Sequence, residues 1–173
     1  MAPLVSYKAI KRYINPKDGR IRTNILSKDA DILPARHRNW KSFKSSFGNV
    51  NHYNYQFMEY KIVIDLSYAF RHFTHNTYFD FRKNVNATLL PTLLDPLLVV
   101  KEEYEGQEVL NFYKPFKNDE ELFHMMMFQA YKEKGIYRFK TIYGASELGK
   151  VKRVIQATDA RTIYFKYTEG SGS

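Results

Sequence analysis

The amino-acid sequence predicts an α+β fold, with N-terminal helices followed by an antiparallel sheet of about four strands. Two patterns lead to this prediction. Before Pro96 the apolar residues recur at helical spacing, and after it they alternate with polar residues between turn formers. Hydrophobic residues make up 44% of the 173 positions, which is enough to build a core and argues against a disordered chain.

The first 48 residues predict one short helix and little else that is regular. A helix is expected over Ser6–Tyr13, and a turn is expected over Pro16–Gly19, where proline, aspartate and glycine lie close together. After this turn, turn-forming residues interrupt the apolar runs, so mostly loop is predicted up to residue 48.

Two further helices are predicted before the strands begin. Apolar residues in Tyr60–Asn76 recur every three or four positions, which predicts a helix with one buried face. The β-branched residues Ile62–Ile64 favour, as an alternative, a short strand ahead of that helix. A second short helix is expected over Asn86–Leu94, interrupted or bent at Pro91.

From Pro96 onward the sequence predicts strands joined by tight turns. Turns are expected at Glu105–Gln107 and at Lys132–Gly135, where glycine marks the reversal of the chain. The expected strands are Leu97–Lys101, Val109–Tyr113, Leu122–Tyr131, Ile136–Tyr143 and Thr162–Tyr167, with a charged helix over Ser146–Ala157 before the last strand.

Charge and composition divide the chain into three parts. Residues 1–59 are expected to form a basic arm or subdomain, residues 60–168 the α+β domain, and residues 169–173 a flexible linker to a longer polypeptide. The chain has 27 Lys and Arg against 18 Asp and Glu, a formal net charge of +9. A positive excess of this kind is typical of proteins that bind nucleic acid, although a basic arm that only keeps the protein in solution is the alternative.

Several classes of protein are excluded by what the sequence lacks. There is no cysteine, which rules out disulfide scaffolds, cysteine-ligated metals and thiol catalysis. No apolar run approaches the roughly 20 residues of a membrane-spanning helix, and the N-terminus has no signal-peptide pattern. Glycine-rich phosphate loops, the HExxH motif and the GxSxG elbow are also missing. We therefore expect no membrane span, no metal site and no cofactor.

The histidines His72 and His75 are the first candidates for chemistry. They are three positions apart, so a helix would place them on one face, next to Arg71. Three interpretations stay open: catalytic histidines, histidines that stabilise the end of a helix, and a pair of metal ligands without an evident third ligand.

The segment Lys140–Gly144, at the end of a predicted strand, supplies the second set of polar side chains. Strand alternation places Thr141 and Tyr143 on one face and Lys140 on the other, unless a bulge redirects it. A Thr/Tyr pair on a solvated sheet face is the structural alternative.

Taken together, these residues predict a metal-independent ribonuclease site. Histidine can remove the 2′-OH proton and protonate the 5′-oxygen, because its pKa lies close to working pH. Lys140, Thr141 and Tyr143 would stabilise the charged phosphorane, and Arg71 would bind the phosphate.

Aromatic residues among cations predict contacts with unpaired RNA bases. Trp40 stands in a basic stretch with Arg38 two positions before it, and stacking on bases needs such a combination. We therefore expect Arg38 and Trp40 to bind the RNA substrate together with Arg71.

The segment from Asp65 to Tyr143 resembles the phage-associated barnase–EndoU–colicin–RelE (BECR) superfamily of nucleases. The resemblance rests on the helix Tyr68–His75, the helix that leads into Leu93–Val99, and the strand that ends in Lys140–Tyr143. It implies helices ahead of a four-stranded antiparallel sheet, and a helix histidine that cleaves RNA together with a polar or basic residue from a late strand. It also implies a toxin domain of a bacterial effector, a phage or a mobile element. We favour His72 over His75, because Arg71 and the neighbouring core residues would hold it at the edge of the sheet.

Two other functions remain open at the level of the sequence. A nucleic-acid-binding module without catalysis needs only the charge and the aromatic residues. An ADP-ribosyltransferase toxin would need a late glutamate, for which Glu147 is the candidate. For the ribonuclease we expect RNA and an acidic immunity or antitoxin protein as partners, and action in the cytoplasm, with secretion or delivery into a target cell as the route there.

Overall fold

The computed structural model describes residues 5–74, 85–118, 123–144 and 161–168, which form five α-helices and eight strands. The helices are α1 (Tyr7–Ile10), α2 (Thr23–Asp29), α3 (Trp40–Ser46), α4 (Leu66–Thr74) and α5 (Leu89–Leu94). The strands are β1 (Asp31–Ile32), β2 (His52–Phe57), β3 (Tyr60–Asp65), β4 (Leu98–Tyr104), β5 (Gln107–Lys117), β6 (Phe123–Glu133), β7 (Ile136–Gly144) and β8 (Arg161–Phe165). The predicted α+β class is confirmed. The predicted helix over residues 146–157 lies outside the described residues.

All eight strands belong to one curled, mixed sheet in the order β2-β3-β7-β6-β5-β4-β8, with β1 paired to β5. Strands β4 to β7 form the predicted antiparallel meander. Its tight turns contain Glu105-Gly106 and Lys134-Gly135, all with the positive φ that two-residue hairpin turns require. The predicted sheet of about four antiparallel strands is too small, because β8 adds to the β4 edge and β3 adds in parallel to the β7 edge.

The predicted helix over Tyr60–Asn76 is divided between β3 and α4. Ile62, Ile64 and Leu66 are all buried, at the period of two that a strand requires. The helix begins at Leu66, where the Asp65 carboxylate accepts a hydrogen bond from the Tyr68 backbone N–H at 3.1 Å. This bond satisfies one of the backbone donors that a helix start leaves without a partner.

The two shorter predicted helices are present with adjusted bounds. The first consists of α1 and a 3₁₀ turn over Lys11–Tyr13, and the second consists of a 3₁₀ turn over Asn86–Thr88 followed by α5. Pro91 lies in the first turn of α5, where a helix tolerates proline because the missing N–H would have no partner inside the helix. Among the described residues, no helix has the length and apolar character needed to cross a bilayer.

The hydrophobic core is divided between the two faces of the sheet. On one face, Phe57 at the end of β2 reaches Phe112 of β5, with ring centres 5.1 Å apart. On the other face, Ile10 and Ile14 of the N-terminal segment pack into a cluster with residues such as Tyr113. The described part of the N-terminal segment, from Val5 onward, therefore covers one face of the sheet.

An ion-pair network joins α2 and β1 to the sheet. The fully buried Lys114 ammonium lies 3.1 Å from the Asp31 carboxylate and 3.0 Å from that of Asp95. Lys166 contacts Asp95 at 3.2 Å and Asp29 at 2.8 Å. Burial alone would raise the pKa of Asp95, but hydrogen bonds and charge attraction from Lys114 and Lys166 outweigh it and lower that pKa. The network thus favours ionised Asp95, and it fixes residues 29–31 to the sheet.

Candidate active site on helix α4

Helix α4 lies beside the end of β7. Strand β3 pairs with β7 only where Ile62 and Val63 face Tyr137 and Arg138. Beyond these pairs the chain of β3 turns into α4, while β7 continues to Gly144. Past Arg138, the backbone of β7 is therefore contacted by side chains of α4 and no longer by the backbone of β3. The Tyr68 hydroxyl donates a 2.9 Å hydrogen bond to the Lys140 carbonyl oxygen.

His72 and Thr141 meet between α4 and β7. The distance between His72 Nε2 and Thr141 Oγ1 is 2.8 Å, and the two residues are 69 positions apart in the sequence. The half-buried His72 ring is stacked on Tyr68, with ring centres 6.0 Å apart, and it meets Phe139 edge-on at 6.0 Å. The structure thus joins one residue from each of the two sets that the sequence indicated.

A β-bulge at Lys140 sets the direction of the side chains around Thr141. Phe139 faces Ala130 and Thr141 faces Gln129, so Lys140 is an extra residue without a counterpart on β6. The bulge that the sequence left open is therefore present. The Lys140 ammonium lies 5.2 Å from the centre of the Tyr104 ring.

A groove of about 300 Å³ opens next to the histidine. Tyr68 and Phe139 belong both to the wall of this groove and to the surroundings of His72. Arg71 is exposed on its rim, and its Nε donates to the Ser67 carbonyl oxygen at 3.3 Å. The lining residues are Val63, Asp65, Tyr68, Arg71, Tyr131, Arg138 and Phe139.

The charges in the groove suit an anion with hydrogen-bond acceptors. Arg138 Nε lies 3.5 Å from Glu133 Oε1, close enough for an ion pair, but this buried nitrogen makes no hydrogen bond. Burial and the nearby Glu133 carboxylate raise the pKa of Tyr131, although Arg138 opposes the shift. The Tyr131 hydroxyl therefore stays protonated at neutral pH and donates its hydrogen bond to the Glu133 carboxylate. Two guanidinium groups at one groove favour a phosphate as ligand, although the Asp65 carboxylate in the lining offsets part of their charge.

The other two predicted RNA-binding residues lie away from His72. Trp40, at the start of α3, packs on Phe70 with ring centres 5.7 Å apart. Phe70 and His72 are two positions apart on α4, so they point to opposite flanks of the helix. Arg38 is exposed in the segment that precedes α3. The structure therefore groups Arg71 with His72 at the groove, and it places Trp40 on the opposite flank of α4.

Three predicted residues cannot be placed at the site. His75 and Glu147 lie outside the described residues, and only the backbone of Tyr143 is described, as part of β7. Sequence reasoning in turn missed Tyr68 and Arg138. Tyr68 has a signal in the sequence, because it precedes His72 by four positions and so shares its helix face. Arg138 has none, because only the β3–β7 pairing brings it to the groove.

Within the described ranges, no three His, Asp or Glu side chains come together as metal ligands. No protein-family model, curated protein or solved structure matches the chain. The resemblance to the BECR nucleases therefore stays a prediction, and the site is interpreted from its own geometry.

Proposed function

We propose that the protein is a metal-independent endoribonuclease in which His72 transfers the proton of the ribose 2′-OH. The observation that supports this proposal is the 2.8 Å contact between His72 Nε2 and Thr141 Oγ1, next to a groove with Arg71 and Arg138. It combines a titratable imidazole, an oriented hydroxyl and two permanent cations at one place.

The proposed reaction is an attack of the 2′-oxygen on the adjacent phosphorus. The bond from phosphorus to the 5′-oxygen breaks, and the products carry a 2′,3′-cyclic phosphate and a 5′-OH. When Nε2–H donates to Thr141 Oγ1, the lone pair of the imidazole is on Nδ1, and this nitrogen accepts the 2′-OH proton. The leaving 5′-oxygen takes a proton from solvent water, and His72 returns the 2′-OH proton to the solvent. Arg71 and Arg138 balance the negative charge of the phosphorane.

We further propose that the ribonuclease is a toxin domain of the BECR type that acts in the cytoplasm of its target cell. The net charge of +9 favours an acidic immunity or antitoxin protein as its partner, because complementary charge speeds association. Secretion or delivery into the target cell belongs to this proposal as well.

The second candidate is an RNA-binding module without catalysis. One observation favours it: the stretch from Ile32 to Met58 has no Asp or Glu, and it contains the exposed Trp40. In that case the His72–Thr141 bond would only hold α4 on β7.

The test is cleavage of single-stranded RNA by the purified protein in the presence of EDTA. The informative variant is His72→Gln, because the glutamine amide can still bond to Thr141 but cannot exchange a proton near neutral pH. We expect it to slow cleavage by about 10²- to 10⁴-fold and to leave thermal unfolding near that of the wild type. Lys17→Gln, which changes an exposed lysine in the turn over residues 16–18, outside the groove lining, is the control and should cleave normally.

The outcomes separate the two candidates. Full activity of His72→Gln would mean that the histidine only joins the helix to the strand. RNA that stays intact with the wild-type protein, but binds to it, would favour the binding module.

A further inference from the structure

A basic, aromatic surface lies on the flank of α4 that points away from His72. We call it the α3 surface, and it consists of Arg38, Trp40, Lys41 and Lys44. Arg38 and Lys41 are exposed and Lys44 is half-buried. The surrounding stretch from Ile32 to Met58 has no acidic residue, so no sequence neighbour compensates these charges. An uncompensated positive surface attracts polyanions.

Trp40 is held in place by packing and still offers part of its ring to solvent. The ring meets Phe70 edge-on, with ring centres 5.7 Å apart, and its centre lies 6.2 Å from that of Phe43. Both partners are aromatic residues that pack into the core. Nevertheless 36% of Trp40 is exposed. The Lys44 ammonium lies 5.9 Å from the centre of the ring. A fixed indole next to a cation suits an unpaired base with its phosphate.

The α3 surface and the groove are separate, and α4 joins them. Trp40 contacts Phe70, and the next residue, Arg71, lines the groove. A helix with its side chains is about 10–12 Å across. A ligand that reaches both places must therefore be longer than one nucleotide and must cross the outer side of α4.

We propose that the α3 surface is a second RNA-binding site, distinct from the groove, which stacks an unpaired base on Trp40 and binds the adjoining phosphates with Lys41, Lys44 and Arg38. The choice of RNA as the polymer rests on the proposed function. The exposed indole favours a polymer with bases over an acidic protein. Bases stack on an aromatic ring, whereas the carboxylates of an acidic protein would contact only the lysines and the arginine.

Two measurements test the proposal, both on the full chain with His72→Gln to keep the RNA intact. The first uses the intrinsic fluorescence of Trp40, the only tryptophan in the chain. Single-stranded RNA should quench it, whereas polyglutamate, a polyanion without bases, should not. The second is the dissociation constant for a labelled single-stranded RNA. We expect Trp40→Ala to weaken binding by about tenfold or more, and Trp40→Phe to restore part of the loss.

The contribution of the lysines can be tested by comparing Lys41 with a lysine outside the α3 surface. Lys41→Ala should lower the slope of log affinity against log salt concentration by about 0.7, the value for one phosphate contact with a single strand. Lys134→Ala removes an exposed lysine in the β6–β7 turn and should leave the slope unchanged.

The results distinguish this proposal from the proposed function. Unquenched Trp40, with equal affinity for RNA in Trp40→Ala, would overturn the second site even if the wild type cleaves RNA. Equal binding of RNA and polyglutamate by the wild type and Trp40→Ala would likewise overturn it and favour an acidic protein at this surface. Quenching and tenfold weaker binding, with no cleavage by the wild type, would support the second site and overturn the ribonuclease.

Discussion

The two flanks of α4 are built from different interactions, although they are only two residues apart. On one flank His72 is bound to Thr141 through a 2.8 Å hydrogen bond and stands next to a groove. On the other flank Phe70 packs against Phe43 at 5.3 Å and against Trp40. The first flank depends on polar geometry, and the second depends on buried apolar surface.

The difference indicates which flank of α4 can take part in a reaction and which flank stabilises the fold. A polar contact at the end of β7 contributes about 1 kcal/mol to stability, but it can orient a titratable group. The aromatic flank contributes several times more through burial, and it supports a ring that is still partly exposed. Variants on the aromatic flank should therefore affect unfolding more, and variants on the polar flank should affect activity more.

The largest expected effect is on the aromatic flank. Phe43 is fully buried and touches Trp40, Phe47, Phe70 and Phe73. Phe43→Ala should lower the free energy of unfolding by about 3–5 kcal/mol, as measured by urea denaturation, because it removes a large buried ring. Phe43→Leu should cost less. A loss below about 1 kcal/mol for the alanine variant would contradict the packing of this flank.

A smaller effect on stability, but a larger one on activity, is expected on the polar flank. Thr141→Val keeps the shape of the side chain and removes the hydroxyl that contacts His72, so unfolding should become easier by about 1–3 kcal/mol. RNA cleavage should fall at the same time, since the imidazole loses its orienting partner. Thr141→Ser keeps the hydroxyl and should retain most of both properties. If Thr141→Val cleaves RNA at the wild-type rate, Thr141 does not orient the histidine.

The smallest expected effect is a dependence of stability on pH that comes from His37, next to the aromatic flank. His37 meets Phe43 edge-on at 5.9 Å, and burial lowers its pKa below the usual 6.5. The unfolded chain therefore binds a proton at His37 before the folded chain does, and stability should fall as the pH drops from about 6.5 through the lower, folded pKa. His37→Gln should remove this part of the slope in urea titrations at several pH values. If the slope of stability against pH is the same in His37→Gln and in the wild type, the shift is contradicted.

The sequence predicted the elements of the fold better than their assembly. Turn glycines and alternation identified β4 to β7, because the signals for a meander are local. Strand β2 was missed, although Tyr53, Tyr55 and Phe57 alternate with polar residues as a strand requires. Strand β1 has only two residues and no local signal, and it pairs with β5 beyond the reach of β4.

The candidate site was predicted only in part, because its residue types are visible in the sequence and their long-range contacts are not. The residue types of His72 and Thr141 indicated chemistry from the sequence, and a long-range pairing then brought them together. The sequence predicts a basic and aromatic environment for Trp40, but it does not predict on which flank of α4 this residue lies. The flank depends on how α3 packs against α4, and no pattern within either helix contains that information.

The parallel pairing of β3 with β7 has a consequence for the order of folding. Tyr68 and Lys140, which meet between α4 and β7, are 72 positions apart, whereas the β6–β7 hairpin closes through a turn at Lys134-Gly135. Closing a long loop costs more chain entropy than closing a tight turn, so non-local contacts form late. We therefore expect a newly synthesised chain to form its meander first. The contact between His72 and Thr141 is then among the last to form, so that folding kinetics, as much as the folded state, determine when the site exists.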